Sequence, residues 1–334
     1  MASRSTAGVL GMTIAPALDA SLADGLAAVE AALLDSVTTG DGFVNEAATH
    51  LVSAGGKRFR PLVTLLASQF GDPAAAGVVP AAVVVELTHL ATLYHDDVMD
   101  EADMRRGADS ANSRWGNSIA ILTGDYLFAR ASDVLADLGP EAVRLQAQTF
   151  GRLVQGQIHE TIGPADGDDP VEHYLQVIAD KTGSLIGTSA RFGALLSGVP
   201  RDQADLLTEW GERVGIAFQL ADDLLDVASE SAESGKTPGT DLREHVPTLP
   251  VLLLRRAHRA DDADLLAALD GDLSEDAALA GVLKRLREHQ VMEEAAQVTR
   301  EWGNLARQSL AGLPAGDARD ALESLCDVVV DRRL

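Results

Sequence analysis

The chain has a single cysteine, Cys326, among its 334 residues. One cysteine cannot form a disulfide within the chain, which excludes a disulfide-stapled fold and fits a reducing compartment. Aromatic residues make up only 4% of the chain. No apolar run approaches the ~20 residues that a membrane-spanning helix needs. Residues 1–12 carry one arginine and no sustained apolar segment, unlike a signal peptide. We therefore expect a cytoplasmic protein without a transmembrane segment.

Basic residues are also scarce. The 27 Lys and Arg residues stand against 51 Asp and Glu residues, which gives a formal net charge of −24. Nucleic-acid binding depends on Lys and Arg side chains that neutralise phosphates, so this balance excludes a nucleic-acid partner. The hydrophobic 46% of the chain is mostly Leu, Ala and Val, with few alternating β-branched runs. That composition predicts an all-α fold.

Apolar residues recur at helical spacing along most of the chain, beginning with a predicted helix over 17–34. The clearest loop is 163–170, where Asp169 and Pro170 suit the cap and first turn of the next helix. Residues 229–250 have little apolar periodicity and predict a mobile loop. The acidic run 261–264 is interpreted as surface. No linker is evident, so we predict a loose tail over 1–16 and a single helical domain over 17–334.

An Asp-Asp-x-x-Asp pattern occurs twice, as Asp96, Asp97 and Asp100 and again as Asp222, Asp223 and Asp226. On a helix, three carboxylates at this spacing crowd one face and repel each other. They are tolerated in open solvent or where a divalent cation gathers them, since Mg²⁺ favours oxygen ligands and keeps phosphate partners. With 33 Asp residues, the pattern arises by chance roughly 0.3 times. Two solvated acidic turns therefore remain the alternative.

The few basic residues gather in short stretches. Gly55–Pro61 reads GGKRFRP and places three cations at a predicted helix start, where free backbone N–H groups also favour an anion. Arg105 and Arg106 closely follow the first acidic motif. Further cations are Lys181, before Thr182, and Lys236. Carboxylates that hold metal ions and arginines that hold phosphate suit a reaction with two diphosphates, although GGKRFRP alone could be a basic turn offsetting nearby acids.

Together these stretches resemble the trans-isoprenyl diphosphate synthases of the polyprenyl synthetase family. The resemblance covers residues 20–255 and follows the family's order of motifs: GGKRFRP, ELTHLATLYHDDVMDEADMRRG, GNSIAILTGDYL, KTGSL, AFQLADDLLDV, and GKTPGTDL followed by TLP. It implies a large helical bundle around a deep active-site cavity and a homodimer. One departure is His245-Val246, where the family often has Gly-Lys.

The resemblance also implies roles for individual residues. Asp96 and Asp100 would bind Mg²⁺ at the allylic diphosphate with support from Asp97, and Asp222 would bind a further ion, with Asp223 and Asp226 acting directly or through water. The family pattern uses roughly three Mg²⁺ ions. Isopentenyl diphosphate would be bound by Lys57, Arg60, His89 and Arg106, with Arg58 an open candidate; the allylic diphosphate would be bound by Arg105, Lys181, Thr182, Gln219 and Lys236. Asp96, Asp100, Asp222 and Lys181 are the catalytic candidates.

The family reaction is Mg²⁺-dependent, head-to-tail prenyl transfer from an allylic diphosphate to isopentenyl diphosphate. Bulky residues just before the first acidic motif limit product length in this family, and Thr88, Ala91 and Thr92 are small here. Ala91 lies about 7.5 Å along a helix from Asp96, which favours a long all-trans product of about C30 to C50, typical of quinone side chains. A farnesyl or geranylgeranyl diphosphate synthase is the alternative. A terpene cyclase or a non-catalytic subunit fits the intact acidic motifs less well. Peripheral membrane contact for product release stays open.

Overall fold

The chain is helical throughout almost all of the residues that this computed structural model describes, which are 11–229 and 238–331. The helices of the N-terminal half are α1 Pro16–Val37, α2 Gly42–Ser53, α3 Phe59–Ser68, α4 Val78–Met99, α5 Ala111–Trp115, α6 Asn117–Ala136 and α7 Pro140–Ile162. They are followed by α8 Pro170–Ile178, a π-helix Ala179–Gly183, α9 Ser184–Leu196, α10 Arg201–Ala228, α11 Thr240–Arg243, α12 Leu249–Ala257, α13 Ala263–Leu269, α14 Asp276–Arg287, α15 Val291–Ser309 and α16 Asp317–Val330, with 3-10 turns at Ala260–Asp262 and Leu310–Gly312. The predicted all-α fold is confirmed.

Strands are confined, within the described ranges, to a short hairpin after α4. Strand β1, Met104–Arg105, pairs antiparallel with β2, Ala108–Asp109. His50 of α2 contacts the carbonyl oxygen of Asp109 through Nε2 at 2.8 Å. The hairpin is therefore tied to α2, and it carries the Arg105–Arg106 pair next to the end of α4.

Helix starts follow the local sequence. The Asp41 carboxylate accepts hydrogen bonds from the N–H groups of Phe43 and Val44 at 3.0 and 2.9 Å and caps α2. Asp169 accepts from the N–H of Val171 at 2.8 Å, and Pro170 occupies the first turn of α8. An aspartate before a helix satisfies backbone donors that have no partner inside the helix. The cap predicted at Asp169 is confirmed.

The chain divides into two compact units. The first contains the chain up to Gly151 together with Leu185–Gly211 and Leu310–Ser324. The second contains Arg152–Ser184, Glu212–Ser309 and the chain from Leu325 onward. The single domain over 17–334 stays a prediction. Of the expected loose tail, residues 11–16 are described, and Pro16 already begins α1. Met12 is buried, and the N–H of Thr13 donates to Ser324 Oγ at 2.8 Å.

Helix α4 forms the centre of the first unit and packs against α1, α3 and α6. Its Val84, Leu87 and Leu90 side chains are fully buried. By its length and its mean hydropathy of 1.3, α4 could span a membrane. However, 67% of its apolar 18-residue stretch is buried inside the protein. Its apolar sequence therefore reflects a position in a protein core, as many core helices do. It delivers the first acidic motif from the core to the surface at Asp100.

The core of the second unit is built around the C-terminal half of α10. Leu220, Leu224 and Val227 pack in one apolar cluster with residues of α12 and α14, including Leu249, Leu254, Leu283 and Leu286. The acidic run 261–264 belongs to this unit. Its predicted surface position is wrong at Asp262, which is buried and lies 3.1 Å from His289 Nε2. A buried carboxylate needs such a partner, and the sequence spacing does not show it.

Candidate active site

The first acidic motif occupies the last turn of α4. The N–H of Asp100 donates to the carbonyl oxygen of Asp96 at 2.8 Å, so the two residues lie one helical turn apart as predicted. Asp96 is half-buried and Asp100 is exposed. Asp97, in contrast, is fully buried. The motif therefore offers two accessible carboxylates and keeps one inside the protein.

The buried carboxylate of Asp97 is paired with the hairpin. Arg105 donates from Nε to Asp97 Oδ1 at 2.5 Å, while Asp97 Oδ2 is buried and meets no hydrogen-bond partner among the described residues. Burial raises the pKa of Asp97 above its usual range, against the opposing effect of Arg105. Arg105 and Asp97 thus hold each other, and this contact joins the hairpin to the acidic helix end.

Arg58 is built into the protein instead of facing a ligand. It is buried, forms ion pairs with Glu30 and Glu86, and donates to the carbonyl oxygen of Val52 at 2.9 Å. Its own backbone is left-handed, with a φ of 47°, just before α3. With its donors directed at these partners, Arg58 supports the GGKRFRP loop, and the open candidacy of Arg58 as a diphosphate ligand finds no support.

Arg60, the second residue of α3, has the opposite character. Its Nε is buried and meets no hydrogen-bond partner in the described parts of the chain. Burial, reinforced by Arg106 and opposed by Glu86 and Asp96, lowers the pKa of Arg60 to about 10. A guanidinium with an unsatisfied buried donor is well suited to receive an anion, which would restore both charge and hydrogen bonding.

Arg106 and His89 lie near Arg60. We call the set of three arginines and one histidine the arginine cluster: Arg60, His89, Arg105 and Arg106. Arg106 donates to the carbonyl oxygens of Leu51, at 3.3 Å, and Gly55. Burial, followed by the nearby charges of Arg60 and Arg106, lowers the pKa of His89 well below its usual range. His89 is therefore neutral near pH 7 and can offer one N–H donor without adding to the charge.

The glycines of GGKRFRP allow the backbone to approach the cluster closely. Gly56 has a φ of 146°, and a Cβ atom there would lie 3.0 Å from Cζ of Arg106. Lys57 is exposed. The first unit thus brings Arg60, His89 and Arg106 together as predicted, while Lys57 lies at the exposed end of the loop.

The second acidic motif lies on α10 in the second unit. Asp222 and Asp226 are half-buried, and Asp223 is buried. Asp226 accepts hydrogen bonds from the N–H groups of Thr240 and Asp241, each at 3.3 Å, and so stabilises the start of α11. Asp223 accepts from Gln219 Nε2 at 2.9 Å and from the Tyr174 hydroxyl. Burial, together with Asp222 and Asp226, raises the pKa of Asp223 to about 7.

Lys181 and Thr182 lie in the π-helix of the same unit. The Lys181 ammonium forms an ion pair with Glu160, and Thr182 Oγ1 donates to Gln219 Oε1 at 3.1 Å. The second unit therefore brings Thr182, Gln219 and Asp223 together. Lys236 lies outside the described residues. His245 and Val246, the departure from the family pattern, are exposed.

The residues predicted to control product length lie along α4. Thr88 and Ala91 are fully buried, whereas Thr92 is half-buried. Gln146 of α7 donates from Nε2 to Thr88 Oγ1 at 2.7 Å. A Cβ atom on Gly124 of α6 would lie 3.0 Å from the Ala91 carbonyl oxygen, so α6 and α4 are in close contact at Ala91. Thr92, one turn before Asp96, shares the face of that carboxylate.

Within 11–229 and 238–331, no three His, Cys, Asp or Glu side chains are grouped so that they could hold a metal ion. Asp97 and Asp223 are turned toward Arg105 and Tyr174, which explains why neither motif forms such a group. The accessible carboxylates of Asp96 and Asp100 still fit Mg²⁺, because this ion takes one or two protein carboxylates and completes its shell with water and phosphate oxygens. The residues present therefore fit a metal that arrives with a diphosphate.

Comparison with known sequences identifies the family. The sequence model of the polyprenyl synthetase family matches residues 41–286. The chain belongs to the polyprenyl synthetase family. The nonaprenyl diphosphate synthase of Mycobacterium tuberculosis is 49% identical over 314 residues, which is 94% of each chain. The predicted family resemblance is confirmed.

Solved structures of polyprenyl synthetases share the fold. The geranylgeranyl pyrophosphate synthase of Corynebacterium glutamicum, complexed with calcium and isoprenyl diphosphate, is 44% identical with a TM-score of 0.86, and the match covers 95% of this chain and 98% of that one. A decaprenyl diphosphate synthase from Rhodobacter capsulatus is 34% identical with a TM-score of 0.85, over 94% and 98% of the two chains. The names of these relatives include a short product, geranylgeranyl pyrophosphate, and two long ones, nonaprenyl and decaprenyl diphosphate.

Sequence reasoning missed several residues that hold the site. Glu86 pairs with Arg58, and Tyr174 binds Asp223. Gly124 lets α6 approach α4. Each of these residues acts through a partner far along the chain, so local spacing could not reveal its role. Only Glu86 has a local signal in the sequence, because a lone carboxylate in an apolar helix requires a cationic partner.

Proposed function

We propose that this polyprenyl synthetase is a trans-polyprenyl diphosphate synthase that elongates an allylic diphosphate with isopentenyl diphosphate and makes a long product. The C1–O bond of the allylic substrate breaks, and its electron pair leaves with the diphosphate. The isopentenyl double bond attacks the resulting allylic cation, and transfer of a proton to the released diphosphate restores a double bond. One cycle lengthens the chain by five carbons and releases one diphosphate.

The observation that carries this proposal is the pairing of the arginine cluster with the acidic end of α4. The charge of Asp96 acts to raise the pKa of Arg60, so the two side chains interact electrostatically. Arg60 Nε remains a buried donor without a partner among the described residues. Arg60, Arg106 and neutral His89 would bind the diphosphate of isopentenyl diphosphate, which must not ionise. Guanidinium groups held in fixed positions can bind this diphosphate by hydrogen bonds, without a metal ion.

The accessible acidic residues serve the other diphosphate. Asp96 and Asp100 on α4, and Asp222 on α10, would hold Mg²⁺, roughly three ions in all. When bound, Mg²⁺ stabilises the negative charge that develops on the departing diphosphate. Arg105, Lys181, Thr182 and Gln219 would bind the same diphosphate, with Lys236 as a further proposed ligand. The protein's other contribution is to exclude water, which would otherwise quench the cation.

The proposed product is about C30 to C50 in length, since the α4 residues Thr88, Ala91 and Thr92, which lie four to eight positions before Asp96, are all small. The relationship to the M. tuberculosis nonaprenyl diphosphate synthase supports this length. A farnesyl or geranylgeranyl diphosphate synthase is the second candidate, favoured by the 44% identity to the C. glutamicum enzyme. Product length therefore separates the two.

We also propose a homodimer, and an exposed apolar stripe supports it. Val154, Ile158 and Ile162 recur every four residues on α7 and are 42, 52 and 70% exposed. Such a stripe on one helix face is typical of an interaction surface. For release of the apolar product we propose peripheral membrane contact, for which the exposed Met99 and Met104 are candidates. A cytoplasmic location is proposed from the lone Cys326, which is buried.

The test is a product ladder from purified protein. Labelled isopentenyl diphosphate is supplied with dimethylallyl, geranyl, farnesyl or geranylgeranyl diphosphate, with Mg²⁺ or with EDTA, and dephosphorylated products are separated by reversed-phase chromatography. We expect Mg²⁺-dependent products that extend to about C30 to C50. Products that stop at C15 or C20 would replace the long-chain proposal with the short-chain one. No incorporation with any primer would overturn the synthase itself.

A further inference from the structure

A chain of hydrogen bonds in the second unit joins α8, α10 and the π-helix. The Tyr174 hydroxyl donates to Asp223 Oδ2. Gln219 Nε2 donates to Asp223 Oδ1 at 2.9 Å, and Thr182 Oγ1 donates to Gln219 Oε1 at 3.1 Å. Both carboxylate oxygens of Asp223 are thus engaged by protein donors. Three separate elements meet through this carboxylate.

The chemistry of these groups fixes the direction of each bond. The tyrosine hydroxyl and the amide NH₂ group donate, and the two carboxylate oxygens accept. Gln219 therefore points its NH₂ group at Asp223, and this orientation turns its amide oxygen toward Thr182. Asp223 is 5% exposed, and a buried carboxylate that lost a donor would be left poorly satisfied. The Tyr174 hydroxyl consequently helps to set the position of Thr182, although three hydrogen bonds separate the two side chains.

This series of hydrogen bonds ends at Thr182, which lies in an unusual segment of backbone. Residues Ala179–Gly183 form a π-helix, a geometry that is rare and occurs frequently at functional sites. A Cβ atom on Gly156 would lie 2.9 Å from the backbone nitrogen of Lys181, and one on Gly183 would lie 3.0 Å from the Glu212 carbonyl oxygen. The π-helix therefore packs closely against α7 and α10. Small shifts of its backbone would be transmitted to Lys181 and Thr182.

A second set of bonds anchors the π-helix from its other side. The buried carboxylate of Asp180 accepts from Arg152 Nε at 2.8 Å and from Gln176 Nε2 at 2.7 Å. These partners fix the start of the segment. The Tyr174 chain fixes its middle, where Thr182 lies. Because Asp180 is held independently, loss of the Tyr174 hydroxyl should change the presentation of Thr182 without unfolding the π-helix.

We infer that Tyr174 is a positioning residue for the allylic diphosphate, acting through Asp223 and Gln219 on Thr182 and Lys181. The inference rests on the proposed function, since it assumes that the π-helix binds the diphosphate of an allylic substrate. It assigns Asp223 a role in orienting Gln219. The ligand class is an allylic diphosphate ester, and isopentenyl diphosphate is unaffected because its proposed ligands belong to the first unit.

The test compares Tyr174→Phe with the wild-type enzyme. The change removes one hydroxyl and keeps the ring. Calorimetry with a thiolodiphosphate analogue of farnesyl diphosphate, in which sulfur slows ionisation, should show roughly five- to tenfold weaker binding with Mg²⁺ present. In steady-state assays the KM for farnesyl diphosphate should rise by a similar factor, while the KM for isopentenyl diphosphate stays within about twofold. Tyr126→Phe, on α6 of the first unit, is the matched control and should leave both constants unchanged.

Further variants separate positioning from a structural role. Gln219→Met cuts the same hydrogen-bond chain, so its effect on analogue binding and that of Tyr174→Phe should be less than additive in the double variant. If Tyr174→Phe fails to fold, Tyr174→Met, which also lacks the hydroxyl, takes its place and should weaken the analogue while sparing isopentenyl diphosphate. Unchanged analogue binding in a folded Tyr174→Phe protein would overturn the inference while leaving the proposed function intact. A wild-type protein that elongates nothing would overturn the proposed function first.

Discussion

Arg105 and Asp97 form an ion pair in which Nε lies 2.5 Å from Oδ1, the carboxylate is fully buried, and the guanidinium side chain is 29% exposed. The pair connects the hairpin that carries Arg106 to the helix that carries Asp96. It therefore holds two parts of the candidate site in register. It also removes Asp97 from the accessible carboxylates of its motif.

Replacement of Asp97 should separate these roles. Asp97→Asn keeps an oxygen that can accept from Arg105, and burial already disfavours the charged carboxylate, so we expect a loss of stability of about 1 kcal/mol. Asp97→Ala leaves Arg105 without its acceptor and should cost more, about 2–3 kcal/mol. Urea denaturation measures both, with Asp103→Ala at an exposed aspartate as the control. Equal, negligible losses in both variants would show that the pair does not stabilise the fold.

Asp96 should affect chemistry far more than stability. It is half-buried on the last turn of α4, and its carboxylate is proposed to hold Mg²⁺. We expect Asp96→Ala to reduce Mg²⁺-dependent turnover at least a thousandfold, on the order of the loss of a major electrostatic group. The free energy of unfolding should change by less than about 0.5 kcal/mol. Turnover near the wild-type rate in a folded variant would refute the assignment.

Product length should respond to bulk at Thr92. Thr92 is half-buried on the face of Asp96, while Ala91 is fully buried where α4 and α6 are in close contact. Thr92→Phe should shorten the product ladder with little loss of stability. Ala91→Phe should also shorten it if Ala91 lines the tunnel, but overpacking there should cost about 1–3 kcal/mol. Thr92→Val keeps the size, so its ladder should match the wild type; an unchanged ladder in Thr92→Phe would place the tunnel elsewhere.

The sequence predicted those features that depend on local spacing. The four-residue step from Asp96 to Asp100 predicted a shared helix face, and Asp169 before Pro170 predicted a cap; both follow from helix geometry alone. The small residues before Asp96 and the basic GGKRFRP loop were likewise visible as patterns. Such features need no knowledge of what packs against them.

The sequence could not show which members of a motif point inward. Asp97 and Asp223 are the second residue of their motifs, and both are buried because Arg105 and Tyr174 reach them from other elements. The GGKRFRP pattern leaves Arg58 an open candidate beside Arg60, but Glu30 and Glu86, each 28 residues away, accept hydrogen bonds from Arg58. Orientation depends on partners distant in sequence, and periodicity carries no information about them.

His89 should make stability depend on pH in a defined direction. Burial and the surrounding arginines lower the pKa of His89 well below its ordinary value of 6.5. Below pH 6.5 the unfolded chain therefore binds a proton that the folded protein does not, and stability falls as the pH falls. The slope from this one group is about 0.7 kcal/mol per pH unit at pH 6.5, where the unfolded histidine is half protonated, and it approaches about 1.4 kcal/mol per pH unit at lower pH, above the lowered pKa.

His89→Asn removes this titration, so the loss of unfolding free energy between pH 6.5 and 5.5 should be about 1 kcal/mol smaller than in the wild type. Urea denaturation at pH 7.5, 6.5 and 5.5 without Mg²⁺ provides the measurement, and the two proteins should share the same pH dependence above 7. His258→Asn, at an exposed histidine, should retain the wild-type slope. A His89→Asn protein with the full wild-type slope would show that His89 takes up its proton in the folded state, in which case it would add to the charge of the arginine cluster.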